Sequence, residues 1–360
     1  MSTEWASARN LLCIRLDNMG DVLMTTPAMK ALRESAPGRR LTLLASASGT
    51  ALAPHLDCVD DAIRYDAPWV KQAPGPEGYM DLATVGTLSA RRFDAAVIFT
   101  VYSQSALPAA FLCRLAGIPR VLSHCRENPY ALVTDWVRES EPDDQVRHET
   151  QRQLDLVAHV GARTSDTRLV FEPGEPARRR VRERMRQLGI AGDAAYVVLH
   201  AGATAPSRTY PAESFATAAR VLLRDFEGHL LLTGTSGEAE RVTALREAIG
   251  HPRAHGLAGL LDLGELGALI ERASVLIANN SGPVHVAAAV GTPVVDLYAL
   301  TNPQHTPWRV RNRVLYRDVP CKYCYRSVCA AGHHACLAGV PPAAVVAAAR
   351  AVWRHETAPC

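Results

Sequence analysis

Short apolar runs recur along the chain, each followed by a polar loop rich in glycine or hydroxyls and then by a segment whose apolar positions follow helical spacing. In the first half, residues 11–16, 41–45, 95–99 and 120–122 read as strands, with helical patterns at 28–34 and 105–116. In the second half, strands at 196–200, 229–233, 275–278 and 294–298 alternate with helical patterns at 211–225, 237–249 and 263–272. Such alternation is the signature of parallel sheets covered by helices. The pattern therefore predicts an α/β protein with two doubly wound parallel-sheet domains.

The turn-forming stretch FEPGEP at 171–176 marks the expected linker. The expected domains are 1–172 and 177–340, with a closing helix and tail over 341–360. A second turn-rich piece, 67–78, reads as a long loop inside the first domain. In open parallel sheets ligands bind beyond the carboxyl ends of the strands, so the post-strand loops are where chemistry is to be sought.

The first such loop runs Arg15-Leu16-Asp17-Asn18-Met19-Gly20-Asp21. Gly20 is expected to let the backbone turn. Asp21 falls at a helical turn, where it reads either as a carboxylate that favours the helix dipole or as a general base. Thr26-Pro27 reads as an N-cap with proline at the first helical position.

The loop after 196–200 carries Thr204, Ser207 and Arg208 among small residues, a set suited to pyrophosphate, although the P-loop spacing of glycine and lysine is absent. After 229–233 comes a glycine-rich turn in which Glu238 or Glu240 is placed to accept from a ribose or to serve as a first-turn carboxylate. After 275–278 comes Asn279-Asn280-Ser281-Gly282-Pro283-Val284-His285, with Ser281 as an expected N-cap and His285 as a ligand contact or a core histidine.

Composition narrows the function. At 48% hydrophobic and 21% charged, the 360-residue chain reads as globular rather than disordered. No apolar run approaches the roughly 20 residues of a membrane span, and the expected location is the cytoplasm, including peripheral contact with the inner membrane. A net charge of +3 argues against nucleic acid. The arginine-rich 177–186 segment reads as a solvated helix face, with anionic membrane or acidic acceptor contact as the other reading.

Together the loops resemble glycosyltransferase family 9, the ADP-heptose:lipopolysaccharide heptosyltransferase family. The resemblance is carried by RLDNMGDVLMTTPA, HAGATAPSRTYPAESF and NNSGPVHVAAAVGTPVVDLYALTNP, in that order. It implies the GT-B architecture of two facing Rossmann-like domains with a cleft between them, and inverting transfer in one displacement without a catalytic metal. Asp21 matches the family's general base. Arg208 matches a cation that contacts the donor phosphates, and Ser281, Gly282 and His285 match the loop at the donor sugar and pyrophosphate. Gly20, Thr204, Ser207, Glu238 and Asn280 complete the expected donor set. Family members commonly carry aspartate where this chain has Asn280.

The implied partners are a nucleotide-diphosphate sugar, most simply ADP-heptose, and a lipopolysaccharide core or related glycan or glycolipid. Two other readings share these residues: the same fold with another donor or a protein hydroxyl as acceptor, and a sugar-nucleotide-binding protein that has lost catalysis. An oxidoreductase is disfavoured because the first strand is not followed by a G-x-G-x-x-G turn.

One segment stands apart. Cys321, Cys324, Cys329 and Cys336 cluster near the C-terminus, with His333 and His334 among them. In a reducing compartment this spacing points to a structural four-thiolate zinc or iron site, with reduced, unligated thiols as the alternative. Cysteine-rich segments of this kind also occur in autotransporter heptosyltransferase relatives, where the site holds iron.

Overall fold

The computed structural model describes residues 3–70, 79–203, 205–299 and 303–353. Thr204 and positions 71–78 of the turn-rich 67–78 segment lie outside the described residues. The chain forms two units, Met1–Val170 and Phe171–Cys360.

The first unit is built on six parallel strands: β1 (Asn10–Arg15), β2 (Arg40–Ala45), β3 (Asp61–Arg64), β4 (Ala95–Ile98), β5 (Val121–Cys125) and β6 (Asp135–Arg138). Their order is β3-β2-β1-β4-β5-β6. The second unit repeats the scheme with β7 (Tyr196–His200), β8 (His229–Thr233), β9 (Ala254–Gly256), β10 (Val275–Asn279), β11 (Val294–Leu297) and β12 (Asn312–Leu315), in the order β12-β11-β10-β7-β8-β9. The strand order reverses between β1 and β4 in one sheet and between β7 and β10 in the other. In a doubly wound sheet that crevice is where ligands sit.

Each apolar run expected to be a strand is one. The strands that the pattern missed are β3, β6, β9 and β12, which are the sheet edges. The central strands are covered on both faces and are mostly apolar; the edges are half-exposed and polar in part, so they carry no continuous run. β5 also extends past the expected 120–122, because Ser123 is buried and donates to the Ile98 carbonyl at 3.0 Å.

The first long helix differs from expectation. It spans Met19–Glu34 and starts directly after Asn18, with Pro27 in its interior rather than at its start. Proline lacks the N–H that would reach the Leu23 carbonyl. The Thr26 hydroxyl instead donates to that carbonyl at 2.6 Å, so the helix continues through the proline. Thr26 is thus a substitute donor, not an N-cap, and Gly20 lies inside the first helical turn rather than in a loop.

The helix Glu175–Gln187 buries Ala177, Val181 and Met185 and turns its arginines outward into ion pairs, such as Arg178 with Glu271 at 2.7 Å. The last helix, Pro342–Trp353, belongs to the second unit. Its Val345, Val346, Ala349 and Val352 enter the core around β10 and β11, each burial contributing about 1.5–3 kcal/mol or less for alanine. Trp353 meets Phe226 edge-on at 4.3 Å. Among the described residues no helix is long and apolar enough to cross a membrane.

Candidate active site

The carboxyl end of β1 delivers Arg15, which is wholly buried, into a set of carboxylates. Arg15 Nε lies 2.9 Å from Asp17 Oδ2, Nη1 lies 2.7 Å from Glu149 Oε1, and Nη2 lies 3.4 Å from Asp21 Oδ1. Burial opposes charge on Arg15, but the three carboxylates hold the guanidinium firmly protonated. Asp21 is the third residue of its helix and accepts from the Asn18 N–H at 3.2 Å, closing a capping box. The cap and base readings of Asp21 are therefore compatible: the box and Arg15 fix the carboxylate, which keeps 15% of its side-chain surface exposed.

Asp17 is more deeply placed, and burial pushes its carboxyl up against the pull of Arg15. Gln104 donates to it at 2.6 Å. Asp17, Gln104, Thr100, Phe99 and Trp69 line a cavity of about 280 Å³ beside the β1–β4 switch point. The helix Glu149–His159 is tied to the same end of the sheet: Gln153 donates to Glu149 at 2.7 Å and to the Thr100 carbonyl at 2.9 Å.

In the second unit the two adjacent amides have different tasks. Asn279 staples the loop after β7, accepting from the Tyr210 N–H at 3.0 Å and donating to the Ala201 carbonyl at 2.7 Å. Asn280 faces the next strand, donating to Asp296 Oδ2 at 2.9 Å and to the His305 carbonyl at 3.0 Å. The helix Gly282–Val290 begins after Ser281, and Pro283 sits in its first turn, where its missing N–H is harmless. Ser281 occupies the cap position, but its hydroxyl donates back to the Asn279 carbonyl at 3.1 Å instead of capping the helix. His285 is buried in that first turn.

Glu238 accepts from the Thr235 N–H at 2.8 Å and from its hydroxyl at 2.9 Å. Burial raises its carboxyl, but the Thr235 bonds and His200 outweigh burial and leave it below the ordinary value. Its carboxylate packs so closely on Gly202 that a Cβ there would overlap it. Burial holds the His200 ring below its usual pKa, against the pull of Glu238. Glycine at 202 thus serves close approach rather than an unusual backbone angle.

The profile of glycosyltransferase family 9 (heptosyltransferase) matches residues 83–335. The chain belongs to glycosyltransferase family 9. It is 24% identical over 311 residues to lipooligosaccharide heptosyltransferase 2 of Haemophilus influenzae, covering 83% of this chain and 85% of that one. Its fold is shared with a family 9 glycosyl transferase from Veillonella parvula, at 21% identity, a TM-score of 0.78 and coverage of 98% and 99%. It is shared also with the ADP-heptose LPS heptosyltransferase II of E. coli, at 21% identity, a TM-score of 0.74 and coverage of 97% and 100%. The family 9 chain is therefore a glycosyltransferase with the GT-B fold.

In the second unit, Ser207 and the cysteine cluster make contacts that the sequence did not show. Ser207 was expected at the donor, yet its hydroxyl donates to the Arg326 carbonyl at 2.6 Å and its N–H to the Ser327 carbonyl at 3.0 Å. It ties the phosphate-type loop to the cysteine-rich segment. The expected four-thiolate site is not shown: among the described residues no group of three or more His, Cys, Asp or Glu side chains is arranged to hold a metal ion. Cys321 meets His333 at 3.8 Å, while backbone N–H groups from 331–334 surround the Cys329 sulfur and lower its pKa.

Several residues of these polar networks escaped sequence reading. Arg15, Asp17 and Asp296 each had a local signal, a charged residue within or ending an apolar run. Glu149 and Gln104 had none, because they reach the site only through the fold.

Proposed function

We propose that the protein transfers a heptose from a nucleotide-diphosphate donor, ADP-heptose, to a lipopolysaccharide core or related glycan hydroxyl, by an inverting single displacement. The observation that carries this reading is Asp21, a partly exposed carboxylate fixed at the carboxyl end of β1 by Arg15 and the Asn18 N–H. The names of the family relatives support the donor and acceptor classes.

In this reading Asp21 takes the proton of the acceptor hydroxyl as its oxygen bonds to the anomeric carbon. The bond from that carbon to the diphosphate oxygen breaks, and the electron pair leaves with the nucleoside diphosphate. The departing oxygen gains negative charge, so donors aimed there lower the barrier. Arg208, the helix start at Gly282 and the His285 ring are the groups assigned to that charge. Glu238 accepts from the donor ribose. No step is routed through a metal.

The test is release of ADP from ADP-heptose by purified protein, with a heptose-deficient lipopolysaccharide acceptor. Asp21→Asn is expected to lower kcat by about 100- to 10,000-fold while donor KM stays within about threefold. Turnover by Asp21→Asn above a tenth of the wild-type rate overturns the assignment.

A further inference from the structure

Asp296 lies on β11, a strand buried along its whole length, where an aliphatic side chain would pack without desolvating a carboxyl group. One carboxyl oxygen accepts from Asn280, and among the described residues the other, Oδ1, has no hydrogen-bond partner. Arg208 is near enough to favour its charge. Stability alone gives no reason for a carboxyl group here.

Its effect on Asn280 gives one. The amide has two hydrogens, and both are used: one on Asp296 Oδ2 and one on the His305 carbonyl. Both partners accept from it, and the His305 carbonyl can do nothing else, so a flipped amide would set its oxygen against that carbonyl. The amide has one stable orientation, and the only function it has left to offer a ligand is its carbonyl oxygen.

We propose that Asp296 is a positioning residue of the donor site, which locks Asn280 so that position 280 presents a fixed, uncharged hydrogen-bond acceptor to a hydroxyl of the donor sugar. The proposal rests on the donor reading above. It also accounts for an amide rather than a carboxylate at position 280. With Asp296 on the neighbouring strand, a carboxylate at 280 would face a second buried carboxyl group and the His305 carbonyl, which has no hydrogen to offer it.

The experiment measures donor KM, kcat and Tm for full-length wild type, Asp296→Asn, Asp296→Leu, Asn280→Asp and the double variant Asn280→Asp/Asp296→Asn, with ADP-heptose as donor. The asparagine oxygen still accepts the lock, whereas leucine cannot. Donor KM for Asp296→Leu is therefore expected about tenfold above that of Asp296→Asn, with kcat within about threefold. Asn280→Asp is expected to lose the most, and adding Asp296→Asn is expected to recover kcat/KM about tenfold, since an amide again faces a carboxylate.

A fall in Tm for Asp296→Leu with unchanged donor KM overturns the lock, as does a double variant no better than Asn280→Asp. If Asp296→Leu does not fold, the Asn280→Asp pair decides alone, because both members keep the polar volume. Wild-type protein that releases no ADP from ADP-heptose overturns the donor reading itself, before any variant is compared.

Discussion

Replacing Arg15 by methionine tests the charge network at its centre. Methionine keeps most of the volume but leaves Asp17, Asp21 and Glu149 around a site with no cation. Glu149 is fully buried, while Asp17 and Asp21 keep only 12% and 15% of their side-chain surface, so water compensates little. Removing one partner of a buried ion pair destabilises by about 3–5 kcal/mol. For a unit of this size, that is a fall in Tm of roughly 6–20 °C.

The loss also has a pH signature. Without the cation, the carboxyl groups in the folded variant ionise less readily than in the unfolded chain, so the folded state binds more protons and stability falls as pH rises. The deficit of Arg15→Met against wild type is therefore expected to be smaller near about pH 5 and larger near about pH 8. Glu149→Gln in the same chain removes the most buried of the three carboxylates and is expected to recover about 1–2 kcal/mol.

Because the chain has two units, the assay is thermal unfolding read together with hydrogen exchange of peptides from Met1–Val170. A loss below about 1 kcal/mol, or one equal at both pH values, refutes the account of Arg15 as the counter-charge of the network.

Two further outcomes follow from the second unit. Burial raises the Asp296 carboxyl to about 8, against the opposing Asn280 bond and Arg208. A raised folded pKa means that stability present at low pH is lost as pH climbs from the ordinary carboxylate value towards about 8. Wild type is thus expected to lose up to about 1.4 kcal/mol per pH unit relative to Asp296→Asn across that window, in parallel urea titrations; parallel pH dependence of the two proteins contradicts it. Gly202→Ala forces the Glu238 carboxylate off Thr235 and is expected to raise donor KM by about tenfold with little change in kcat, read in the ADP-release assay. An unchanged KM removes Glu238 from the donor site.

The sequence by itself determined the parts that rest on local regularity. The central strands are buried on both faces and are largely apolar runs, so the α/β class, the paired sheets and the post-strand loops were readable, and with them the position of Asp21. Half-exposed edge strands lack such runs and were not readable. Tertiary structure decided the rest, for two reasons. Burial reassigns polar groups: Thr26 serves the carbonyl that Pro27 cannot reach, Ser207 turns to the 326–327 backbone, and Asn280 turns to Asp296 and His305. Charge pairing also ignores sequence distance, so Glu149 meets Arg15 across 134 positions with no local mark to announce it. Cysteine spacing shows the limit from the other side: it fixes which thiols are near in the chain, but only the path of the loop decides whether their sulfurs converge.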